Sequence, residues 1–149
     1  MYEFLEYRVE HVMTREVVTI GPETSVEQAQ AIFEEHDFDS LPVLDESRQL
    51  IGVLSKLDLC KAFAFTRTSM LPRYDEIVSR PVKDYMNRQP ARVEPDVPLT
   101  RVLATLIETG FKSLPVLQDG RLLGIVARED VLAAIHRAAD GLLPEGSAA

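Results

Sequence analysis

The chain has 149 residues, enough for one compact domain whose core needs neither a disulfide nor a structural metal. Its 16 basic and 24 acidic side chains give a formal net charge of −8, which argues against broad binding to a phosphate backbone but leaves room for one small anionic ligand held by a few local cations. The single cysteine, Cys60, excludes an internal disulfide, no apolar run approaches the ~20 residues of a membrane span, and no signal-peptide pattern opens the sequence, so a cytoplasmic location is expected.

In chain order, the β-branched run Val17-Val18-Thr19-Ile20 predicts a short strand ended by Gly21-Pro22. Thr24-Ser25-Val26-Glu27 has the form of a capping box, with Thr24 as N-cap and Glu27 reaching back. Val26, Ala29, Ile32 and Phe33 then share one face of a helix. Leu41–Leu44 and Leu50–Leu54 read as a hairpin around the polar stretch Asp45–Gln49, and a second helix follows over about Lys56–Phe65. Ser55-Lys56-Leu57-Asp58, at its start, again has the form of a capping box.

The same order returns in the second half. Asp96 can cap a helix with Pro98 in its first turn, and Leu99, Val102, Leu103 and Leu106 form its apolar face. Leu114–Leu117 and Leu122–Val126 flank the turn signal Asp119-Gly120, and a last helix covers Arg128–Ala138. The two halves match residue by residue. Phe38-Asp39-Ser40-Leu41-Pro42-Val43-Leu44 stands against Phe111-Lys112-Ser113-Leu114-Pro115-Val116-Leu117, differing only at Asp39 and Lys112. Val9, Met13 and Pro22 likewise answer to Val82, Met86 and Pro95, and Gly52 and Asp58 to Gly124 and Asp130. The expected fold is α/β (α+β), a β-α-β-β-α unit present twice and packed about a pseudo-twofold axis with a cleft between the copies. Repeat 1 is assigned to 8–66, a linker to 67–80, repeat 2 to 81–138 and a flexible tail to 139–149.

Two signatures per copy, hydrophobic-x-Ser-Leu-Pro-Val and Gly-hydrophobic-x-Ser/Thr-x-x-Asp (Gly52-Val53-Leu54-Ser55-Lys56-Leu57-Asp58), make the chain resemble the cystathionine β-synthase (CBS) domain pair over roughly residues 8–138. The resemblance implies a regulatory module that binds adenosine-containing ligands, commonly as a homodimer. It implies that the motif aspartate accepts from ribose hydroxyls, that the Ser or Thr three residues earlier contacts phosphate, and that the segment before Leu-Pro holds the base. Carried over, one site contains Ser55 and Asp58 with Met86, Asn87, Ala91, Phe111, Lys112 and Ser113. A second, weaker site contains Asp130 with Thr14, Val18, Phe38, Asp39, Ser40 and Arg128. There the motif hydroxyl is replaced by Ala127, and Asp39 stands where the first site has Lys112. An extra carboxylate near a phosphate costs about 4 kcal/mol at 4 Å with an effective dielectric near 20, which Arg128 is placed to offset.

The same residues have plainer readings. Ser55 and Asp58 serve as a helix cap, whereas Ala127 leaves Asp130 without a hydroxyl partner. Phe38, Phe111, the Leu-Pro-Val strands and Cys60 are expected in the core, and Glu34, Glu35 and Glu108 on solvated helix faces. His11, His36 and His136 lack metal-ligand spacing, no Gly-x-Ser-x-Gly or Gly-x-x-x-x-Gly-Lys motif occurs, and no enzymatic activity is expected. The leading expectation is a sensor of AMP, ADP, ATP or S-adenosylmethionine that needs no cofactor and signals to an unknown protein partner. The alternative is a ligand-free dimerisation or interaction module with vestigial clefts. Neither nucleic acid nor membrane is expected as a partner. Apolar residues in Cys60–Phe65 and Val131–Ile135 favour a homodimer.

Overall fold

The computed structural model describes residues 1–65 and 73–146. Among these, the α-helices are α1 (Val9–Val12), α2 (Val26–Glu35), α3 (Lys56–Ala62), α4 (Tyr74–Val78), α5 (Leu99–Thr109) and α6 (Arg128–Ala139). The strands are β1 (Ser40–Leu44), β2 (Leu50–Ser55), β3 (Ser113–Gln118) and β4 (Arg121–Ala127), paired β1-β2 and β3-β4 as two antiparallel hairpins. The chain forms two compact units, Val18–Pro90 and Met1–Val17 with Ala91–Ala149.

Each unit is a hairpin covered by helices. In the first, Val26, Ala29 and Phe33 of α2 and Leu59 of α3 bury against Leu41, Val43 and Leu54 of the hairpin. In the second, Leu99, Val102 and Leu106 of α5 and Val131, Ala134 and Ala138 of α6 bury against Leu114, Val116 and Val126. The turns differ. Asp119 and Gly120 both have positive φ, the conformation of a two-residue hairpin turn matched to strand twist. The longer first turn is tied by the Asp45 carboxylate, whose Oδ1 accepts from the backbone N–H groups of Ser47 and Gln49.

The first strand expected in each repeat is reduced to one bridge. Ile20 pairs in parallel with Val43, its N–H donating to the Pro42 carbonyl and its carbonyl accepting from Leu44 N–H. Val93 pairs with Val116 in the same way, through Pro115 and Leu117. The next rung would need an N–H from Pro42 or Pro115, and proline has none.

The units do not follow the sequence repeats at their leading ends. Val82 and Met86, which open repeat 2, are buried in the core of the β1-β2 unit, and Asn87 exchanges backbone hydrogen bonds with Val53 at 2.9 Å in each direction. Val9 and Met13, which open repeat 1, are buried in the β3-β4 unit, where Thr14 exchanges hydrogen bonds of 2.8 and 2.9 Å with Ile125. The motif glycines make room for this. A Cβ at Gly52 would lie 2.8 Å from the Met86 sulfur and 2.9 Å from the Asn87 carbonyl oxygen; one at Gly124 would lie 2.5 Å from the Thr14 carbonyl oxygen.

The exchanged segments also cap helices. The Leu99 N–H at the start of α5 donates to the Tyr7 carbonyl and the Val26 N–H of α2 to the Arg80 carbonyl. This corrects the cap at Asp96: the α5 N-cap is Pro98, with no side-chain cap. At α2 the box is shifted by one residue, between Ser25 and Gln28 rather than Thr24 and Glu27. The Thr24 hydroxyl instead accepts from Gly21 N–H within the preceding turn.

Cys60 is exposed rather than in the core, because Leu59 takes the inward position of α3 and the next residue rotates outward. Phe111 is 43% exposed, whereas Phe38 is half-buried and stacked on His36 at 4.8 Å. Linker residues 67–72 lie outside the described residues, and 73–80 contain α4 with Ile77 and Val78 buried. In the tail, residues 147–149 lie outside the described residues, while the Leu142 carbonyl accepts from the Tyr7 hydroxyl at 3.0 Å.

Candidate functional site

The chemistry-bearing residues gather where each hairpin runs into its second helix. At the β2–α3 junction, Ser55 Oγ accepts from the Asp58 N–H at 3.0 Å, and Asp58 Oδ2 accepts from the Ser55 N–H at 2.8 Å. This reciprocal pair is the capping box read in the sequence, and it sets both side chains at the α3 N-terminus, where the helix dipole favours an anion. Ser55 pairs across the hairpin with Ser40, and the Lys56 N–H donates to the Asp39 carbonyl at 3.2 Å. Phe38, Asp39 and Ser40 therefore adjoin the junction in the same unit. Met86 contributes a buried side chain to that unit's core, and Asn87 joins through its backbone, its Oδ1 accepting from Gln89 N–H. Val18 is 37% exposed at the edge of the same unit.

The β4–α6 junction repeats half of this. Asp130 Oδ2 accepts from the Ala127 N–H at 2.7 Å, so Asp130 is a cap partner, contrary to expectation: the carboxylate needs only the backbone N–H, not a hydroxyl in return. Burial pushes the Asp130 carboxyl above the usual carboxylate range, the Ala127 hydrogen bond opposes the shift, and the charge of Glu129 adds to it. Ser113 pairs with Ala127, the Arg128 N–H donates to the Lys112 carbonyl at 3.0 Å, and Thr14 pairs with Ile125. Ala91 packs against this unit's core, and Phe111 precedes β3.

Each unit thus brings together a helix-capping aspartate, the residues leading into the Leu-Pro-Val strand and an exchanged segment. Ser55, Asp58, Met86, Asn87, Val18, Phe38, Asp39 and Ser40 belong to one unit; Ala91, Phe111, Lys112, Ser113, Thr14, Arg128 and Asp130 belong to the other. A shallow depression of about 480 Å³, lined by Thr24, Gln28, Asp45 and Arg48, lies at the opposite, turn end of the β1-β2 hairpin and includes none of these residues. Among the described residues, no group of His, Cys, Asp and Glu side chains could hold a metal ion, and no helix is long and apolar enough to cross a membrane. Sequence reading did not identify what Gly52 and Gly124 accommodate, although both stand inside the quoted motif.

A hairpin feeding a capped helix through Gly-hydrophobic-x-Ser/Ala-x-x-Asp, present twice, defines a tandem-repeat α/β module. The chain belongs to the CBS domain family, whose model matches residues 9–65 and 82–137. It is similar to CBSX2 from Arabidopsis thaliana, a CBS-pair protein, at 31% identity and a TM-score of 0.78, covering 90% of this chain and 97% of that one. A structure of CBSX2 in complex with AMP matches at 30% identity and a TM-score of 0.76 over 89% and 98% of the two chains. The chain is also 31% identical over 125 residues to inosine-5′-monophosphate dehydrogenase of Korarchaeum cryptofilum, where it covers 83% of this chain but 23% of that enzyme.

Proposed function

We propose that this CBS pair is a regulatory module that binds an adenosine-containing nucleotide and signals the binding to a partner, without catalysing a reaction. The observation that carries the reading is the Ser55–Asp58 box. Ser55 Oγ accepts a hydrogen bond and still has its own proton to donate to a phosphate oxygen; Asp58 uses Oδ2 and leaves Oδ1 to accept from ribose hydroxyls. Capping and ligand binding are therefore compatible in the same two residues. The AMP complex of CBSX2 supports the ligand class. AMP, ADP, ATP and S-adenosylmethionine all carry the adenosine group, and none is required as a resident cofactor. The proposal extends to the other residues that the family resemblance assigns to the two sites, Arg128 excepted.

The ligand acts only through a difference in affinity between two states of the chain. A homodimer belongs to the same proposal and is supported by Leu57 on α3 and Leu132 on α6, each 63% exposed. A ligand-free interaction module remains the second reading, and Ala127 favours it at the β4–α6 junction, where the hydroxyl is missing. Thermal shift against AMP, ADP, ATP and S-adenosylmethionine, in the wild type and in Asp58→Ala, separates the two readings.

A further inference from the structure

Arg128 follows the missing hydroxyl, where a cation could serve a phosphate, yet its side chain is turned to another use. Its Nη2 donates to the Gly110 carbonyl at 2.6 Å and its Nε to the Phe111 carbonyl at 3.0 Å. Its backbone N–H donates to the Lys112 carbonyl at 3.0 Å. Three consecutive carbonyls, spanning the turn from α5 into β3, are thus held by one residue at the start of α6. Gly110 ends α5 in the left-handed conformation, with φ of 71°, and a cation close to that helix C-terminus is also favoured by the dipole.

The geometry suits arginine in particular. A guanidinium presents donors in a rigid planar fork that can reach two carbonyls at once, whereas an ammonium on a flexible stem is a point charge. The corresponding residue of the other repeat, Lys56, reaches its turn through the backbone, donating its N–H to the Asp39 carbonyl. That turn is instead packed by the His36 ring against Phe38.

We infer that Arg128 is a positioning residue: it holds Gly110–Lys112 in the conformation in which Phe111, Lys112 and Ser113 receive the adenosine group, and it does not itself bind phosphate. The inference rests on the adenosine reading above and deepens it. It predicts that losing the fork weakens recognition of the nucleoside and not only of its phosphate.

The test compares the full chain with Arg128→Ala and Arg128→Lys. Hydrogen exchange of the amides of residues 111–114 is measured without ligand, and adenosine and AMP are titrated separately. The expected result is faster exchange in both variants, with adenosine and AMP weakened alike by about fivefold and no rescue by lysine. AMP weakened while adenosine is unaffected, with lysine restoring the loss, would assign Arg128 to phosphate and overturn the inference. If the wild type binds neither adenosine nor AMP, the nucleotide reading fails on its own and the exchange measurement decides the brace: unchanged exchange in Arg128→Ala overturns it. Arg128→Lys retains the charge and the aliphatic stem, so it serves should Arg128→Ala fail to fold.

Discussion

The carbonyl oxygen of Thr14 fills the space in which a side chain at Gly124 would begin, 2.5 Å from the position of a Cβ. Because the obstacle is backbone, and because Thr14 is tied to Ile125 by two hydrogen bonds, it cannot swing aside as a side-chain tip could. Gly124→Ala is therefore expected to destabilise the chain by about 2–3 kcal/mol in urea unfolding. Gly21→Ala, with nothing within 4 Å of the added methyl, is the control and should change stability by less than about 0.5 kcal/mol. Equal effects at the two glycines would refute the steric account.

The two hairpin–helix junctions differ by one hydroxyl, and the difference can be exchanged. Ser55→Ala removes the acceptor for the Asp58 N–H and should cost about 1 kcal/mol. Ala127→Ser supplies the missing acceptor opposite the Asp130 N–H and should add about 0.5–1 kcal/mol. Guanidinium unfolding of both variants checks the pair; an Ala127→Ser protein no more stable than wild type would show that the α6 start cannot use the hydroxyl.

These junctions also show how far sequence reading reaches. The Ser55–Asp58 box was legible because both partners lie within one helical turn, so local pattern determines the geometry. At α2 the same logic is degenerate: Thr24 and Ser25 are both hydroxyl residues, followed three positions later by Glu27 and Gln28, and the turn at Gly21 takes up Thr24. The cap at Asp96 failed for a different reason, since the Leu99 amide is satisfied by Tyr7, far away in sequence. The exchange of leading segments and the Arg128 fork are likewise long-range, and nothing in the local pattern of either stretch encodes its partner. Within the candidate site, residue identities were legible from the repeated motif, while the use made of Arg128 was not.

Ligand binding gives the most direct functional prediction. At a concentration 100 times its dissociation constant, a ligand adds about 2.7 kcal/mol, or a Tm rise of roughly 5–10 °C for a domain of this size. At least one adenosine compound should produce such a rise in the wild type and little in Asp58→Ala, and calorimetry should find one tight site per chain. No rise with any of the four compounds would favour the ligand-free module; two equally tight sites would show that Ala127 leaves the second junction competent.

Stability should carry a pH signature from Asp130. Burial raises its carboxyl above the usual range, so the folded chain binds this proton more tightly than the unfolded chain. The resulting stabilisation is fully present below the unfolded value and is lost as pH rises through the folded value. Asp130→Asn keeps an oxygen for the Ala127 N–H and has no proton to lose. The Tm of Asp130→Asn relative to wild type should therefore climb from acid toward neutral pH and then level off. A difference that stays flat between about pH 3 and pH 7 would contradict the burial effect.

The exchanged leading segments impose an order on synthesis. The unit Val18–Pro90 is continuous in the chain and can assemble once residue 90 has left the ribosome. Residues 1–17, made before that unit, must wait for the segment that begins at Ala91, made after it, before Val9 and Met13 find the core in which they are buried. The leading stretch is thus covered later than the unit that follows it, and its apolar side chains stay open to wrong partners while that unit is being made.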